Sequence, residues 1–81
     1  MSVKLLYFAS LREALGLAEE SIELPPGVAT VGALRAWLAK RHAPLATTKN
    51  LRAAVNQKMA GMEAAIRDGD EIAFFPPVTG G

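Results

Sequence analysis

Apolar and polar residues alternate along several stretches of this chain and follow a helical period along one. In "VKLLYFA" (3–9) β-branched, aromatic and aliphatic residues crowd together, and the run reads as a strand. "ESIEL" (20–24) sets Ile22 and Leu24 between polar neighbours and reads as a second strand, ended by the turn sequence "PPG" (25–27). Between them "SLREALG" (10–16) predicts a short helix, with Ser10 and Glu13 spaced as a capping box and Gly16 at the stop. In "VGALRAWLAKRH" (31–42) the spacing of Val31, Leu34 and Leu38 gives one apolar face, which Trp37 widens. Thr30 caps this main helix, Lys40, Arg41 and His42 fill its last turn, and Pro44 stops it. "LRAAVN" (51–56) predicts a third strand. Asn56-Gln57 then turns it toward a short partner near Lys58 to Ala60. After the turn sequence "RDGD" (67–70), "EIAFF" (71–75) is the last strand, closed by Pro76 and Pro77.

One substantial helix is thus available to cover one face of a small mixed sheet of four or five strands. This is an α+β, two-layer arrangement. The element order resembles the β-grasp fold of ubiquitin-like proteins, in which the first and last strands lie side by side in the middle. The organisation expected is one domain over residues 1–75 and an extended tail over 76–81.

Composition narrows the chemistry. The chain has 81 residues, 51% of them hydrophobic, and a net charge of +1, so it has the apolar content of a globular domain and no basic stripe for nucleic acid. Cysteine is absent, which excludes disulfides, thiolate metal sites and a cysteine nucleophile. "LLYFA" is too short to span a membrane and lacks a signal-peptide layout, so the expectation is a soluble, cytoplasmic protein. His42, the single histidine, reads as a solvated helix cap. Asp68, Asp70 and Glu71 read as an acidic turn, and Lys49, Lys58 and Arg67 as surface charge. No triad, phosphate-binding loop or metal-ligand spacing is present, so no bound cofactor and no metal are expected.

Alternation assigns the faces of the sheet. Val3, Leu5 and Tyr7 oppose Lys4, Leu6 and Phe8; Ile72 and Phe74 oppose Glu71, Ala73 and Phe75; Ala53 and Val55 oppose Arg52, Ala54 and Asn56. The charged residues mark the face turned away from the helix, yet that face also carries Leu6, Phe8, Ala73 and Phe75. Such an apolar cluster marks a partner surface, unless a loop from 43–50 or 58–65 folds over it.

The end of the chain, "FFPPVTGG", has the build of a delivery arm. Pro76-Pro77 is stiff, Val78 and Thr79 are β-branched, and Gly80 and Gly81 carry no Cβ, so the tip fits a channel too narrow for side chains. Extended, the arm spans roughly 20 Å at about 3.3 Å per residue. A carboxylate delivered in this way becomes an acyl donor only after activation, for which adenylation by ATP is one route.

The stretches "DGDEIAFFPPVTGG" (68–81), "AAVNQ" (53–57) and "LLYFASLRE" (5–13) resemble the small subunits of molybdopterin synthase, and the resemblance covers essentially the whole chain. It implies a sulfur carrier whose terminal glycine, here Gly81, is adenylated by a ubiquitin-activating-like enzyme that consumes ATP. The glycine is then converted to a thiocarboxylate. It implies insertion of the tail (Pro76, Pro77, Val78, Thr79, Gly80) into the synthase large subunit, in a heterotetramer. Sulfur passes there to a cyclic pyranopterin monophosphate to build the molybdopterin dithiolene. On this reading the chain is the sulfur-donating half of a two-component sulfurtransferase, with no complete active site of its own. Partner contacts carry over to Phe8, Met59 and Phe75. Two alternatives share the tail: a sulfur carrier for the thiazole of thiamine, and a ubiquitin-like modifier that forms isopeptide bonds with lysines.

Overall fold

A computed structural model describes residues 1–77. The elements are β1 (Ser2–Tyr7), α1 (Ala9–Leu15), β2 (Glu19–Glu23), α2 (Val31–Ala39), α3 (Ala43–Thr47), β3 (Arg52–Val55), β4 (Lys58–Ala60) and β5 (Glu71–Phe75). One five-stranded sheet has the order β2-β1-β5-β3-β4. The central pair β1/β5 is parallel and the other neighbours are antiparallel. This is the β-grasp arrangement expected from the element order.

The inner face of the sheet meets the helices. Val3, Leu5, Tyr7, Ile22, Ala53, Ile72 and Phe74 from the strands close on Val31, Leu34 and Leu38 of α2, with Leu11, Leu24, Leu45, Leu51 and Ile66 completing the cluster. Each large side chain fully withdrawn from water stabilises the fold by about 1.5–3 kcal/mol before ordering costs. Thr30 caps α2 as expected, its Oγ1 accepting from the Ala33 amide at 3.1 Å. Two more free amides of that helix end also find acceptors. Val31 N–H donates to the Ala64 carbonyl at 3.0 Å and Gly32 N–H to the Met62 carbonyl at 2.7 Å, so the 61–66 segment is strapped across the start of α2. Gly32 permits this approach, since a Cβ there would lie 3.1 Å from the Met62 carbonyl oxygen.

Three local expectations are corrected. The capping box of Ser10 and Glu13 does not form, because α1 begins one residue earlier with Phe8 at its N-cap and no side-chain cap. Pairing to β5 decides this. Phe8 N–H still donates to the Phe74 carbonyl at 3.2 Å while the Phe8 carbonyl already accepts from the Arg12 amide at 3.3 Å. The abrupt passage from strand to helix puts Ala9 at φ 54°. A second correction is the end of α2, which falls at Ala39, so Lys40, Arg41 and His42 lie beyond its last turn. A third is α3, a five-residue helix with Pro44 in its first turn, where only a stop was expected. Arg35 pins it, with Nε donating to the Leu45 carbonyl at 2.8 Å and Nη2 to the Thr48 carbonyl at 2.7 Å.

Two turns form as read. Asn56 and Gln57 take φ 50° and 71°, the left-handed pair that a two-residue hairpin requires, and β4 follows. Gly69 takes φ 86° in the 67–70 turn. The carboxylates of that turn are engaged in holding the chain. Asp70 accepts from the Arg67 amide at 2.7 Å and from Asn56 Nδ2 at 2.9 Å, and Asp68 accepts from the Ser2 amide at 2.7 Å.

His42 is not a solvated cap. Its Nε2 lies 3.1 Å from Glu20 Oε2, and the same oxygen accepts from the Tyr7 hydroxyl at 2.9 Å. Its ring meets Tyr7 edge-on, with centroids 6.2 Å apart. The cluster ties edge strand β2 to the junction of α2 and α3. Burial of the Tyr7 ring, reinforced by its hydrogen bond to Glu20, pushes the phenol pKa far above its usual value. The native state therefore keeps a proton that the unfolded chain releases above about pH 10. The stability this contributes is intact below that pH and is lost as pH rises through and beyond it, with a slope of up to about 1.4 kcal/mol per pH unit. Tyr7 is the single tyrosine, so tyrosinate absorbance reports it directly. The absorbance is expected to appear only with unfolding, and Tyr7→Phe should flatten the alkaline fall in denaturant midpoint.

Candidate interaction face at the root of the tail

The outer face of the sheet is organised by cross-strand register. Leu6 pairs with Ala73, Ala73 with Ala54, and Ala54 with Met59. Residues directly opposite on neighbouring strands point to the same side, so these four form one apolar row across four strands. The next row lies one pleat toward the end of β5: Arg52 pairs with Phe75, and Phe8 follows β1 alongside it. In the other direction Lys4 pairs with Glu71. The face is thus an aliphatic row between an aromatic row and a charged one.

Neither loop that might have covered this face does so. The 43–50 region forms α3, which packs on α1 and α2 in the helical layer. The 58–65 region supplies β4 at the sheet edge and then runs to the start of α2. Phe8 is 46% exposed and Met59 63% exposed, the large apolar side chains most open to water among the described residues. Leu6, Ala73 and Phe75 are half-buried. Ala54, on this face by alternation but too small to attract notice, is the low floor between Ala73 and Met59. It is almost covered by its neighbours. Met59 gains a definite place, since β4 carries it onto the same row as Leu6.

Lys4 is compensated from β2, where Glu19 is the register partner of Leu6. Lys4 Nζ lies 3.6 Å from Glu19 Oε2, with Glu71 as its other neighbour in register. Both ends of that ion pair are solvated, so it adds little to stability. Among the described residues no group of three His, Cys, Asp or Glu side chains converges to hold a metal ion. No helix among them is long and apolar enough to cross a membrane.

The tail leaves from the middle of this face. β5 is a central strand, and Phe75, its last residue, stands between Phe8 and Arg52 before the chain enters Pro76 and Pro77, both half-buried. Gly81, with Val78, Thr79 and Gly80, lies outside the described residues. An apolar groove lined by Met1, Leu24, Pro25, Val28 and Ile66 sits at the opposite end of β1 and takes no part in the site.

These features define a ubiquitin-like β-grasp protein with an open apolar sheet face at the root of its C-terminal segment. The chain belongs to the ThiS family, whose model matches residues 5–81. The molybdopterin synthase sulfur carrier subunit of Haemophilus influenzae is 44% identical over 82 residues, an alignment covering 98% of this chain and 99% of that protein. The same fold is seen in the putative molybdopterin converting factor subunit 1 of Pyrococcus furiosus, at 34% identity and TM-score 0.83, over 96% of this chain and 99% of that one. It is also seen in the small archaeal modifier SAMP1 of Haloferax volcanii, at 30% identity and TM-score 0.82, over the whole of both chains.

Proposed function

We propose that this protein is the sulfur carrier subunit of a molybdopterin synthase. Its carrier group is the C-terminal carboxyl of Gly81. The carboxylate attacks the α-phosphate of ATP on a ubiquitin-activating-like enzyme, expelling pyrophosphate and leaving an acyl-adenylate. Sulfide displaces AMP directly, whereas a persulfide displaces it to leave an acyl disulfide that a second thiol reduces; either way Gly81 ends as a thiocarboxylate. The arm from Pro76 to Gly80 carries it into the large subunit of the synthase, where the sulfur passes to a cyclic pyranopterin monophosphate. Two such transfers build the dithiolene. The chain contributes the transferred atom and its delivery, and the large subunit contributes the site where the pterin reacts. ATP is consumed on the activating enzyme, not bound here.

The observation that carries this reading is the placement of the tail root. Phe75 belongs to the exposed apolar face and to the strand that launches the tail. A partner that covers Leu6, Phe8, Ala73, Phe75 and Met59 therefore meets the root of the tail at a fixed place on its own surface. The full-length similarity to the Haemophilus influenzae sulfur carrier subunit supports the choice of chemistry. Intact mass spectrometry of the protein, made in cells together with its activating enzyme, tests it. The reading expects a species heavier by the difference between sulfur and oxygen, located at Gly81 by fragmentation.

Similarity to SAMP1 favours a second reading, conjugation of Gly81 to lysines of other proteins. It expects instead isopeptide-linked adducts that carry the terminal Gly-Gly remnant. The two products leave the same acyl-adenylate by different nucleophiles, so one sample distinguishes them.

A further inference from the structure

We infer that Arg52 is the charge that orients the partner on the open face, pairing with a carboxylate that the large subunit presents beside the emerging tail. The inference rests on the function proposed above. On the outer face Lys4 is balanced by Glu19 at 3.6 Å and by Glu71 in register. Arg52 is different. It is exposed, and among the described residues it makes no ion pair or side-chain hydrogen bond.

Its position gives the charge a use. Arg52 is the register partner of Phe75, so it closes one end of the aromatic row and flanks the point where the tail leaves the sheet. The apolar rows supply contact area but little direction, because an aliphatic plaque accepts a partner in several rotations. A single guanidinium at one end, unpaired among the described residues, breaks that symmetry. It selects the rotation in which the tail root meets the partner's channel. A guanidinium also offers a planar pair of donors that a carboxylate meets in a bidentate fashion, which fixes angle as well as distance.

A charge at the rim acts chiefly on encounter rate and on salt dependence. The test is association of the full chain with the purified synthase large subunit, followed by stopped flow or surface resonance over a range of ionic strength. Arg52→Glu is expected to lower kon by about tenfold at low salt, and Arg52→Gln by a smaller factor, with both differences shrinking as salt is raised. Lys40→Glu makes the same change in net charge from the C-cap of α2, in the helical layer on the other side of the sheet, and should leave kon within about twofold. Equal losses in Arg52→Glu and Lys40→Glu would reduce the effect to net charge and overturn the inference. So would a purely dissociative effect that salt does not alter, which would indicate packing of the arginine stem on Phe75. Tight binding of all variants alike would overturn the inference and leave the function standing. Failure of the unsubstituted chain to bind the large subunit would remove the function beneath it.

Discussion

Deleting Gly81 is expected to abolish sulfur transfer without altering the stability of the domain. The deletion moves the terminal carboxyl back by roughly 3.5 Å, and a misplacement of about 1 Å at a reacting centre can already cost about a hundredfold in rate. Gly81→Val keeps the length but adds branched bulk at a tip whose preceding glycine suggests a passage fitted to bare backbone. A one-residue extension carries the reactive carboxyl past its target. All three variants should be inactive in dithiolene formation from cyclic pyranopterin monophosphate with purified large subunit, activating enzyme, ATP and a sulfur donor. Their denaturant midpoints should match that of the unaltered chain, because every residue of the buried core lies between Val3 and Phe74. Substantial activity in the extended variant, with mass spectrometry showing no trimming, would rule out a terminal thiocarboxylate and leave the protein a β-grasp interaction module.

The fold was legible in the sequence wherever periodicity and turn chemistry agreed. β5 is bounded by a Gly-containing turn and a Pro pair, and its limits at Glu71 and Phe75 match the reading from sequence. Thr30 followed by a heptad-like apolar face placed the start of α2 equally well. What was not legible depended on tertiary partners. α3 buries a single anchor, Leu45, and is held by two side-chain bonds from Arg35, so no period could announce it. The start of α1 is set by the ladder between β1 and β5, which overrode a sound local capping signal at Ser10. His42 sits 22 positions from the Glu20 it pairs with, a contact that exists only once β2 and the helices are assembled. Strand alternation, a local rule, already sets Leu6, Ala73 and Phe75 on the side turned away from the helices, where the register places them. That β4 brings Met59 onto it followed only from the register with β3.

Phe74 and Phe75 are adjacent in sequence and opposite in consequence, and substituting each in turn should separate folding from partner binding. Phe74 is fully buried between the sheet and the helices. Phe74→Ala removes most of a large side chain from a core too small to close over the space, which typically costs about 3–5 kcal/mol. For a domain of this size about 1 kcal/mol shifts Tm by roughly 4–8 °C. The variant should therefore melt at least about 12 °C lower and be partly unfolded at ambient temperature if the parent stability is near the low end of about 5 kcal/mol. Phe75 faces the other way, on the row with Phe8 and Arg52, and little of the core rests on it. Phe75→Ala should change stability by less than about 1 kcal/mol. Loss of an interface anchor costs about 2 kcal/mol or more, a weakening of roughly thirtyfold in affinity for the large subunit. Phe8→Glu should behave like Phe75→Ala, since it places a charge where the partner must dehydrate the surface. Calorimetric titration measures the affinity and circular dichroism the folding. If Phe8→Glu and Phe75→Ala both bind with unchanged affinity while remaining folded, the partner does not use this face, and the tail alone must account for recognition.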